Sequence, residues 1–281
     1  MSEDEIIRYY ETCEVDYRVN WRLDASKSLH YGYWDAGTRS FAEALQNTHR
    51  ELARLADIRG GERVLDAGCG VGGGALWLAR HHRCRVVGIS LVEGQVRQAI
   101  ANAQAAGVGA LCGFDRRSYL ATGWDGAIFD VAQAIESSCY ASDKADFFRE
   151  MCRLLRPGGR LVVADFFRAE ERMAPRDEAL MARWERSWAI PAYAGFARFA
   201  EQAREAGFVD VHMIDVTPNV VPSARRLYQR FWPGLAVSAW AYPLRVRDRL
   251  QTDHVWSALW QWQALERGLW RYGFLVAKKG S

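Results

Sequence analysis

The sequence predicts an α/β fold in which a doubly wound, mostly parallel sheet carries helices on both faces. Short apolar segments alternate with segments of helical periodicity between residues 63 and 165. A glycine-rich turn joins the first apolar segment to the helix after it, and two more apolar segments follow in the second half of the chain. Repeated strand–helix units form parallel sheets because each helical crossover returns the chain to begin the next strand in the same direction.

Each element of this sheet has its own signal. Residues 41–57 carry apolar side chains at helical spacing, and the glycines at positions 60 and 61 end that helix. The first strand is predicted at 63–67, followed by the glycine turn and a helix. The later predictions are a strand at 85–89, a helix over 93–106, a weaker strand near 110–113, a strand at 127–134, a helix over 145–155, a turn at 156–159, and strands at 160–165, 209–216 and 272–278.

These seven strands leave one long stretch of a different character. Residues 219–270 have helical periodicity and no linker-like composition, and eight of the chain's 12 tryptophans lie in its last hundred residues. We interpret the chain as one domain with a helical, aromatic-rich cap. Its parts are an N-terminal helical lid segment (1–57), a core that binds a cofactor (58–170), a substrate cap with an insertion (171–270) and a last strand (271–281).

Composition excludes several classes of protein. The net charge of +3 and the absence of a Lys/Arg block argue against a nucleic-acid partner. No apolar run approaches the roughly 20 residues that span a bilayer, and the acidic start does not resemble a secretory signal. Six cysteines without a Cys-x-x-Cys pair disfavour a zinc site and a disulfide framework. We therefore expect a cytoplasmic protein without a metal site or integral membrane association. A homo-oligomer is compatible with these expectations.

The glycine turn predicts a ligand site. In VLDAGCGVGGGA the chain leaves the first strand through a segment almost free of side chains, at the carboxyl end of a central strand. Gly68, Gly70 and Gly73 satisfy the Gly-x-Gly-x-x-Gly dinucleotide pattern, whereas the absence of Lys followed by Ser or Thr excludes a phosphate-binding P-loop. Asp66, just before the first glycine, lies where it would hold the turn or the ligand.

Two motifs carry a resemblance to a known family. The segment 64–73, VLDAGCGVGG, resembles the first motif of class I S-adenosylmethionine-dependent methyltransferases, and 154–161, LLRPGGRL, resembles the motif before their fifth strand. The resemblance covers about residues 20–170 and the final strand, YGFLVAKK. It implies a Rossmann-like methyltransferase fold, S-adenosylmethionine as cofactor, and cofactor contacts from Asp66, Gly68, Cys69 and Gly70.

The end of the second strand narrows the resemblance to a subgroup. Most members of the superfamily have an acidic residue there that binds the ribose, but this chain has Ile89. It resembles the subgroup of cyclopropane-fatty-acid synthases and of tocopherol and sterol methyltransferases, in which a hydroxyl, an apolar residue and a glutamine replace that acid. The resemblance implies these roles for Ser90, Leu91 and Gln95; the alternative is that Ser90 caps the next helix and Gln95 faces solvent.

Other cofactor contacts follow from the same resemblance. Phe114 and Asp115 follow the third strand, where the family has a carboxylate that accepts a hydrogen bond from the adenine amino group. LHYGYWD resembles the segment that closes over the cofactor, which implies that Tyr31 or Tyr33 hydrogen-bonds the methionine carboxylate. Ile135, at the end of the fourth strand, is included among the contacts.

The polar stretch 133–144, QAIESSCYASDK, is the candidate catalytic segment. It resembles the run after the fourth strand of tocopherol and sterol methyltransferases, which implies that Glu136 lies beside the methyl group and acts electrostatically or as a base. The alternative is that Glu136 only orients a tyrosine or the cofactor. Cys139 and Tyr140 are expected to line the pocket, with no partner visible for a nucleophilic Cys139. His30 is a second candidate base.

The predicted function is methylation of a small, hydrophobic metabolite. C-methylation of an isoprenoid or sterol-like alkene is favoured, because the carbocation it generates needs aromatic faces and a carboxylate for stabilisation. The alternative is O- or N-methylation of a phenolic or amine natural product, and a noncatalytic cofactor-binding subunit is the alternative from another class. Cyclopropanation is disfavoured since Glu136 is followed by Ser137 rather than His. The tryptophans of the cap either line the acceptor pocket or form core.

Overall fold

The computed structural model describes residues 1–241 and 247–280. Seven strands form one sheet in the order β3-β2-β1-β4-β5-β7-β6. β7 runs antiparallel to both of its neighbours, and the pairs among β1 to β5 are parallel. The strands are β1 (Arg63–Ala67), β2 (Arg85–Ser90), β3 (Cys112–Arg116), β4 (Phe129–Ile135), β5 (Leu155–Arg168), β6 (Phe208–Asp215) and β7 (Trp270–Lys279).

Ten helices of the described chain surround this sheet. α1 begins at a capping box in which Ser2 and Glu5 satisfy each other's backbone N–H groups, and α10 begins at the same motif built from Asp248 and Gln251. They are α1 (Glu3–Trp21), α2 (Leu23–Ser26), α3 (Phe41–Leu55), α4 (Gly73–His82), α5 (Glu93–Ala105), α6 (Lys144–Leu154), α7 (Pro175–Ser187), α8 (Phe196–Glu205), α9 (Thr217–Ala241) and α10 (Arg249–Glu266), with a 3₁₀ turn at Ser138–Tyr140.

The predicted fold class is confirmed, and the differences are in element boundaries. β3 lies two to three residues later than predicted, and the predicted strand at 160–165 is the middle of the longer β5. The reason is that β7 pairs with β5 from Arg160 to Arg168, which extends the ladder beyond the apolar run. Residues 242–246 of the predicted cap and position 281 of the predicted last strand lie outside the described residues.

The strand order decides where chemistry can occur. β4 lies beside β1 in parallel, so the segment that follows Ile135 and the glycine turn that follows Ala67 leave the sheet at the same edge. At this edge α1 packs against α10, and α10 packs against α7 and α9. In the described ranges, no helix is both long and apolar enough to cross a membrane. The carboxyl edge of the sheet is therefore covered by helices from both ends of the chain.

Candidate active site

The glycine turn after β1 takes a conformation that other residues rarely adopt. Gly68, Gly70 and Gly72 have φ values of +88°, +53° and +93°. A Cβ atom on Gly68 would lie 2.4 Å from the Cβ of Ser137, and one on Gly73 would lie 2.2 Å from the carbonyl oxygen of Lys27. The turn therefore requires glycine for its backbone and for the close approach of the segments that follow β4 and α2.

A cleft opens along this turn. It brings together eleven of the predicted cofactor and catalytic residues. Its lining includes Asp66, Gly68, Cys69, Gly70, Ser90, Leu91, Gln95, Ile135, Glu136, Tyr140 and the second candidate base, His30. The carboxyl ends of β1, β2 and β4 thus supply one continuous surface.

Unsatisfied polar atoms mark one end of the cleft. Asp66 Oδ2, Gln133 Nε2 and His49 Nδ1 are buried and have no hydrogen-bond partner in the described part of the chain. Asp66 and His49 line the cleft, and Gln133 lies behind them. A Cβ on Gly74 would lie 2.7 Å, 3.2 Å and 3.7 Å from the Gln133 amide nitrogen, the Asp66 oxygen and the His49 ring, so the three converge on one point. Burial raises the pKa of Asp66 to about 6. Buried polar groups need partners, and the amino-acid end of S-adenosylmethionine carries an ammonium and a carboxylate that match them.

Ser90 and Gln95, for which the resemblance implies cofactor contacts, lie side by side at the cleft. The Ser90 hydroxyl donates to Gln95 Oε1 at 2.8 Å and accepts from the Val92 N–H at 3.1 Å. Ser90 thus joins the end of β2 to the start of α5, and both side chains line the cleft. The helix-capping alternative and the cofactor role are compatible here, because Ser90 holds the turn while Gln95 remains at the cleft wall.

The structure does not bring Tyr31 and Tyr33 to the cleft. The Tyr31 ring is buried against Phe166 at 4.9 Å between centroids, and its hydroxyl has no hydrogen-bond partner in the described ranges. The Tyr33 ring stacks on Phe274 at 5.9 Å. Both rings pack onto the β5–β7 side of the sheet, and what Tyr31 gives to the site is its backbone N–H.

Phe114 and Asp115 are also outside the cleft lining. Phe114 packs against the backbone of Gly72 and Gly88, where added Cβ atoms would lie 3.2 Å and 2.6 Å from its ring. Asp115 pairs with Arg117, Nη2 to Oδ2 at 2.8 Å, and Arg117 lines the cleft. The adenine contact predicted for Asp115 stays a prediction, and in this structure Arg117 lies between that carboxylate and the cleft.

Glu136 has the most constrained environment in the site. Its φ is +47°, a left-handed conformation that costs a non-glycine residue roughly 1–2 kcal/mol, and its N–H donates to the Ala164 carbonyl at 2.7 Å. Its Oε1 accepts from the Tyr31 N–H at 2.6 Å and from the Tyr272 hydroxyl at 2.7 Å. Desolvation raises the pKa of Glu136 to about 8. Such strain persists only where surrounding structure fixes it, which is typical of functional sites.

A buried polar network holds the rest of the polar stretch, and sequence reasoning missed its centre. Asp165 Oδ2 accepts from the Ser138 hydroxyl at 2.6 Å and from the Cys139 N–H at 2.9 Å. Lys144 Nζ donates to the carbonyls of Cys139 and Ala141 at 2.7 Å and 2.5 Å. The signal was present, since Asp165 ends the predicted fifth strand at the same sheet edge. Sequence reasoning also missed Tyr272, although the start of the last strand lies at the same sheet edge.

Next to the cleft lies an aromatic pocket, a name we use for the small cavity beyond Glu136. Glu136 and Tyr140 line both spaces, and the Tyr140 hydroxyl accepts from Tyr10 at 2.9 Å. Among the cap tryptophans, only Trp188 belongs to the pocket lining. The complete lining is Tyr10, Tyr17, Trp21, Leu29, Glu136, Cys139, Tyr140, Phe166, Trp188, Ile190 and Tyr193.

The other cap tryptophans have different locations. Trp184 and Trp270 are buried together with 5.6 Å between ring centroids, and Trp256 stacks on Trp260 at 6.1 Å. Trp232 and Trp240 are 62% and 72% exposed, so they belong to the surface rather than to core or pocket. The pocket instead takes three of its aromatic rings from α1, which sequence reasoning did not assign to it.

His30 and His49 form a pair at the cleft wall. His30 Nδ1 lies 2.9 Å from the Tyr31 carbonyl oxygen, so that nitrogen carries the proton, and its Nε2 lies 3.4 Å from His49 Nε2. Burial lowers the pKa of His30 to about 4 and holds the pKa of His49 well below its usual value. The pair is therefore neutral at pH 7, and the lone pair of His30 is directed at its neighbour.

Comparison with known proteins agrees with this geometry. Residues 65–163 match the family profile described as a methyltransferase domain. The chain is 32% identical over 209 residues to 27-O-demethylrifamycin SV methyltransferase of Amycolatopsis mediterranei, a match covering 73% of this chain and 75% of that one. It is 34% identical over 228 residues to 24-methylenesterol C-methyltransferase 2 of Arabidopsis thaliana, covering 80% of this chain and 62% of the plant enzyme.

The fold has solved counterparts. One is geranyl diphosphate C-methyltransferase from Streptomyces coelicolor A3(2), solved in complex with Mg²⁺, geranyl-S-thiolodiphosphate and S-adenosyl-L-homocysteine. It superposes with a TM-score of 0.75 at 19% identity, over 99% of this chain and 97% of that chain. Three observations lead to one conclusion: the glycine turn, the cleft with unsatisfied polar atoms, and curated relatives that are methyltransferases. The chain belongs to the class I S-adenosylmethionine-dependent methyltransferases.

Proposed function

We propose that this enzyme methylates a carbon atom of a small, uncharged alkene of the isoprenoid or sterol type. One observation carries the proposal: Glu136 lines both the cofactor cleft and the aromatic pocket. A carboxylate at this boundary is suited to stabilise positive charge that passes from a sulfonium to a carbon atom. The C-methyltransferases among the relatives and the solved structures support the same reaction type.

The residues proposed to hold the cofactor divide by the chemistry of its parts. S-adenosylmethionine supplies, when bound, a methyl group on a positively charged sulfur. Asp66 and Gln133 offer an acceptor and a donor to the amino-acid end, while Ser90 and Gln95 offer polar atoms to the ribose hydroxyls. The glycine turn lets the backbone approach the ligand closely. Methyl transfer is an in-line displacement, and holding the reactants in one geometry is the main contribution required from the protein.

The aromatic pocket suits the acceptor that we propose. Among the residues that the structure describes, Glu136 is the only one in this lining that can carry a charge at neutral pH. Aromatic faces stabilise a desolvated cation by roughly 0.5–2 kcal/mol each, and rings such as Trp188 and Phe166 also exclude the water that would trap a carbocation. A diphosphate head group would find no Lys or Arg in this lining, which is why an uncharged acceptor is favoured.

The fixed geometry of Glu136 supports an electrostatic role. Two donors, the Tyr31 N–H and the Tyr272 hydroxyl, hold Oε1 and orient the carboxylate. Because the donors favour the charged form while burial opposes it, a cation in the cleft would shift the balance towards the carboxylate. Glu136 then acts as a fixed counter-charge during methyl transfer.

A second candidate function is O-methylation of a natural-product hydroxyl. The relationship to the rifamycin methyltransferase supports it, as does His30, which is neutral at pH 7 and lines the cleft. As a base, however, His30 has a pKa lowered to about 4 by burial and a lone pair directed at His49. The pair would have to separate before His30 could accept a proton from a substrate.

The position of the new methyl group tests the proposal. The enzyme is incubated with S-adenosylmethionine bearing a labelled methyl group and with panels of isoprenoid and sterol alkenes, phenols and amines, and mass spectrometry locates the label. We expect label on carbon; label found only on oxygen or nitrogen contradicts the proposal.

A matched pair of variants tests the role of Glu136. Glu136→Gln should lower kcat by about 100-fold or more, the range for a group that stabilises transition-state charge, with S-adenosylhomocysteine affinity within about twofold of wild type. Glu201→Gln, on the exposed face of α8, is the control and should retain wild-type kcat. Full activity in Glu136→Gln would remove Glu136 from the mechanism.

A further inference from the structure

A chain of three buried side chains crosses the lid between the aromatic pocket and the protein surface. The hydroxyls of Tyr17 and Tyr9 are 2.7 Å apart, and the Tyr9 hydroxyl lies 2.9 Å from His254 Nδ1. Tyr9 and Tyr17 are on α1, and His254 is on α10, 245 positions away from Tyr9. All three residues are buried. Nothing in the reaction described so far uses them.

The two ends of this chain lie in different places. Tyr17 lines the aromatic pocket, where the acceptor is proposed to bind. His254 lines a groove on the outside of the molecule, which we call the outer groove, between α1, α9 and α10. The outer groove is lined by residues that include Asp16, Val19, Leu227, Arg247, His254 and Val255. The three side chains therefore connect the acceptor pocket to the surface.

The direction of the hydrogen bonds follows from the groups themselves. Tyr9 has one proton and two neighbours, and a neutral imidazole nitrogen is a better acceptor than a phenol oxygen. Tyr9 therefore donates to His254 Nδ1, Tyr17 donates to Tyr9, and the ring proton of His254 is on Nε2. Burial lowers the pKa of His254 to about 4, so the ring is neutral and Nδ1 carries a lone pair. This direction leads protons outward from the pocket.

We propose that Tyr17, Tyr9 and His254 form a relay that removes the proton released by the acceptor after methyl transfer. The inference rests on the proposed function, since an alkene that gains a methyl cation must lose a proton to yield a neutral alkene. Tyr17, which lines the pocket, is the catalytic base, and Tyr9 and His254 act through it. Glu136 remains the counter-charge because its Oε1 is held by two donors.

The steps balance as follows. The π electrons of the alkene form the new carbon–carbon bond while the sulfur–methyl bond breaks, which leaves a carbocation on the substrate. A neighbouring C–H bond breaks, and its electron pair forms the new double bond. That proton passes to the Tyr17 oxygen as Tyr17 gives its own proton to Tyr9 and Tyr9 gives its proton to His254 Nδ1. His254 then releases the Nε2 proton to water in the outer groove. Rotation of the ring away from Tyr9 lets the Nδ1 proton exchange to water while Nε2 regains a proton, and rotation of the two tyrosine hydroxyls restores the starting arrangement.

Charged neighbours of His254 support transfer in this direction. Asp16 and Arg247 form a bidentate pair at 2.8 Å and 2.7 Å beside it, and both line the outer groove. The Asp16 carboxylate favours the positively charged form of His254, and the Arg247 guanidinium opposes it. A transient imidazolium can therefore form and then lose its proton. Cys13, also buried on α1, has its pKa raised by burial and stays neutral.

One test needs no substrate. Nitrogen-15 NMR of the histidine rings should show His254 as the Nε2–H tautomer at neutral pH, with Nδ1 accepting a hydrogen bond that is lost in Tyr9→Phe. A proton on Nδ1 of His254 would reverse the direction of the chain and overturn the proposal.

The kinetic test uses variants along the relay. Tyr9→Phe should lower kcat by about 100-fold, within the range for general acid–base groups, with KM and S-adenosylhomocysteine affinity little changed. His254→Ala should show a similar loss that free imidazole restores, because the outer groove admits it. Tyr228→Phe, which removes a hydroxyl on α9 stacked against Trp262, is the control and should retain wild-type kcat.

Product analysis separates this proposal from the proposed function. Tyr17→Phe should release a different mixture, with alkenes deprotonated at another carbon and alcohols formed by water capture. If wild type methylates carbon while Tyr9→Phe, His254→Ala and Tyr17→Phe keep its kcat and products, the relay is refuted and C-methylation stands. If wild type methylates only oxygen or nitrogen, the proposed function fails, and the same kcat and rescue measurements decide whether the relay carries that proton instead.

Discussion

Glu136 should release a proton when S-adenosylmethionine binds and keep it when S-adenosylhomocysteine binds. The two ligands differ by one methyl group and one positive charge on sulfur. Desolvation raises the pKa of Glu136 to about 8 in the free protein, so most molecules hold a protonated carboxyl at pH 7. A sulfonium bound beside Glu136 favours the carboxylate, whereas a neutral thioether does not.

The size of the effect can be worked out. A unit charge about 4 Å from the carboxylate, at an effective dielectric constant of about 20, contributes about 4 kcal/mol. That equals about 3 pKa units and moves the pKa of Glu136 from about 8 to about 5. The protonated fraction at pH 7 then falls from about 0.9 to about 0.01, so about 0.9 proton is released per cofactor bound, and only about 0.1 at pH 9.

The sign of the pH dependence follows from the same shift. Below pH 8 the charged ligand must displace a proton from Glu136, so its affinity relative to S-adenosylhomocysteine should rise about tenfold per pH unit between about pH 5 and pH 8 and then level off. S-adenosylhomocysteine is the internal control, because it shares the ammonium and carboxylate that would perturb Asp66 and the histidine pair.

Titration calorimetry in buffers of different ionisation enthalpy measures the proton count directly. The difference between the two ligands should be about 0.9 proton at pH 7 for wild type and close to zero for Glu136→Gln. Equal proton release for both ligands in wild type would refute the location of Glu136 beside the transferred methyl. A difference that persists in Glu136→Gln would assign the proton to another group.

Two further predictions concern the walls of the site. Gly68→Ala brings a Cβ to 2.4 Å from the Cβ of Ser137. It should therefore cost about 1–3 kcal/mol of unfolding free energy and weaken cofactor binding about tenfold or more. The control is Gly61→Ala, where φ is +82° but no atom lies within 4 Å; it should cost about 1 kcal/mol of unfolding free energy and leave cofactor binding unchanged. Tyr10→Phe removes the hydrogen bond to Tyr140 and should cost about 0.5–1.5 kcal/mol, raising the acceptor KM while cofactor affinity stays within about twofold.

Urea unfolding and calorimetry measure both effects. Equal binding by Gly68→Ala and Gly61→Ala would mean that the turn tolerates a side chain despite its contacts. An unchanged acceptor KM in Tyr10→Phe would mean that the hydrogen bond between Tyr10 and Tyr140 does not contribute to acceptor binding.

Much of the fold could be predicted because its signals are local. The apolar run of β1, the glycines after it and the next helix lie within a few residues of one another, and parallel pairing then fixes which strand ends share an edge. The family resemblance also implied the cleft location of Ser90 and Gln95, which lie at and just after the end of β2. Glu136 could be found for the same reason, at the end of β4.

Other parts of the site depend on contacts between distant segments. Tyr31 and Tyr33 occur in a segment whose chain position fits a lid over the cofactor, yet both rings pack against the β5–β7 side of the sheet. Asp115 lies within β3 rather than after it, and Arg117 forms an ion pair with its carboxylate. Side-chain direction in a loop is set by the surfaces that meet there, and a linear pattern does not contain those surfaces.

The sequence by itself determined the sheet, the glycine turn and the carboxylate after the fourth strand, because strand periodicity, glycine conformation and the polarity of strand ends are properties of short segments. Only the tertiary structure decided that Tyr272 and the Tyr31 N–H hold Glu136, and that Tyr17, Tyr9 and His254 form one chain. The two contacts of Glu136 and the Tyr9–His254 contact each join residues more than a hundred positions apart, and they exist because β7 pairs with β5 and α1 packs against α10.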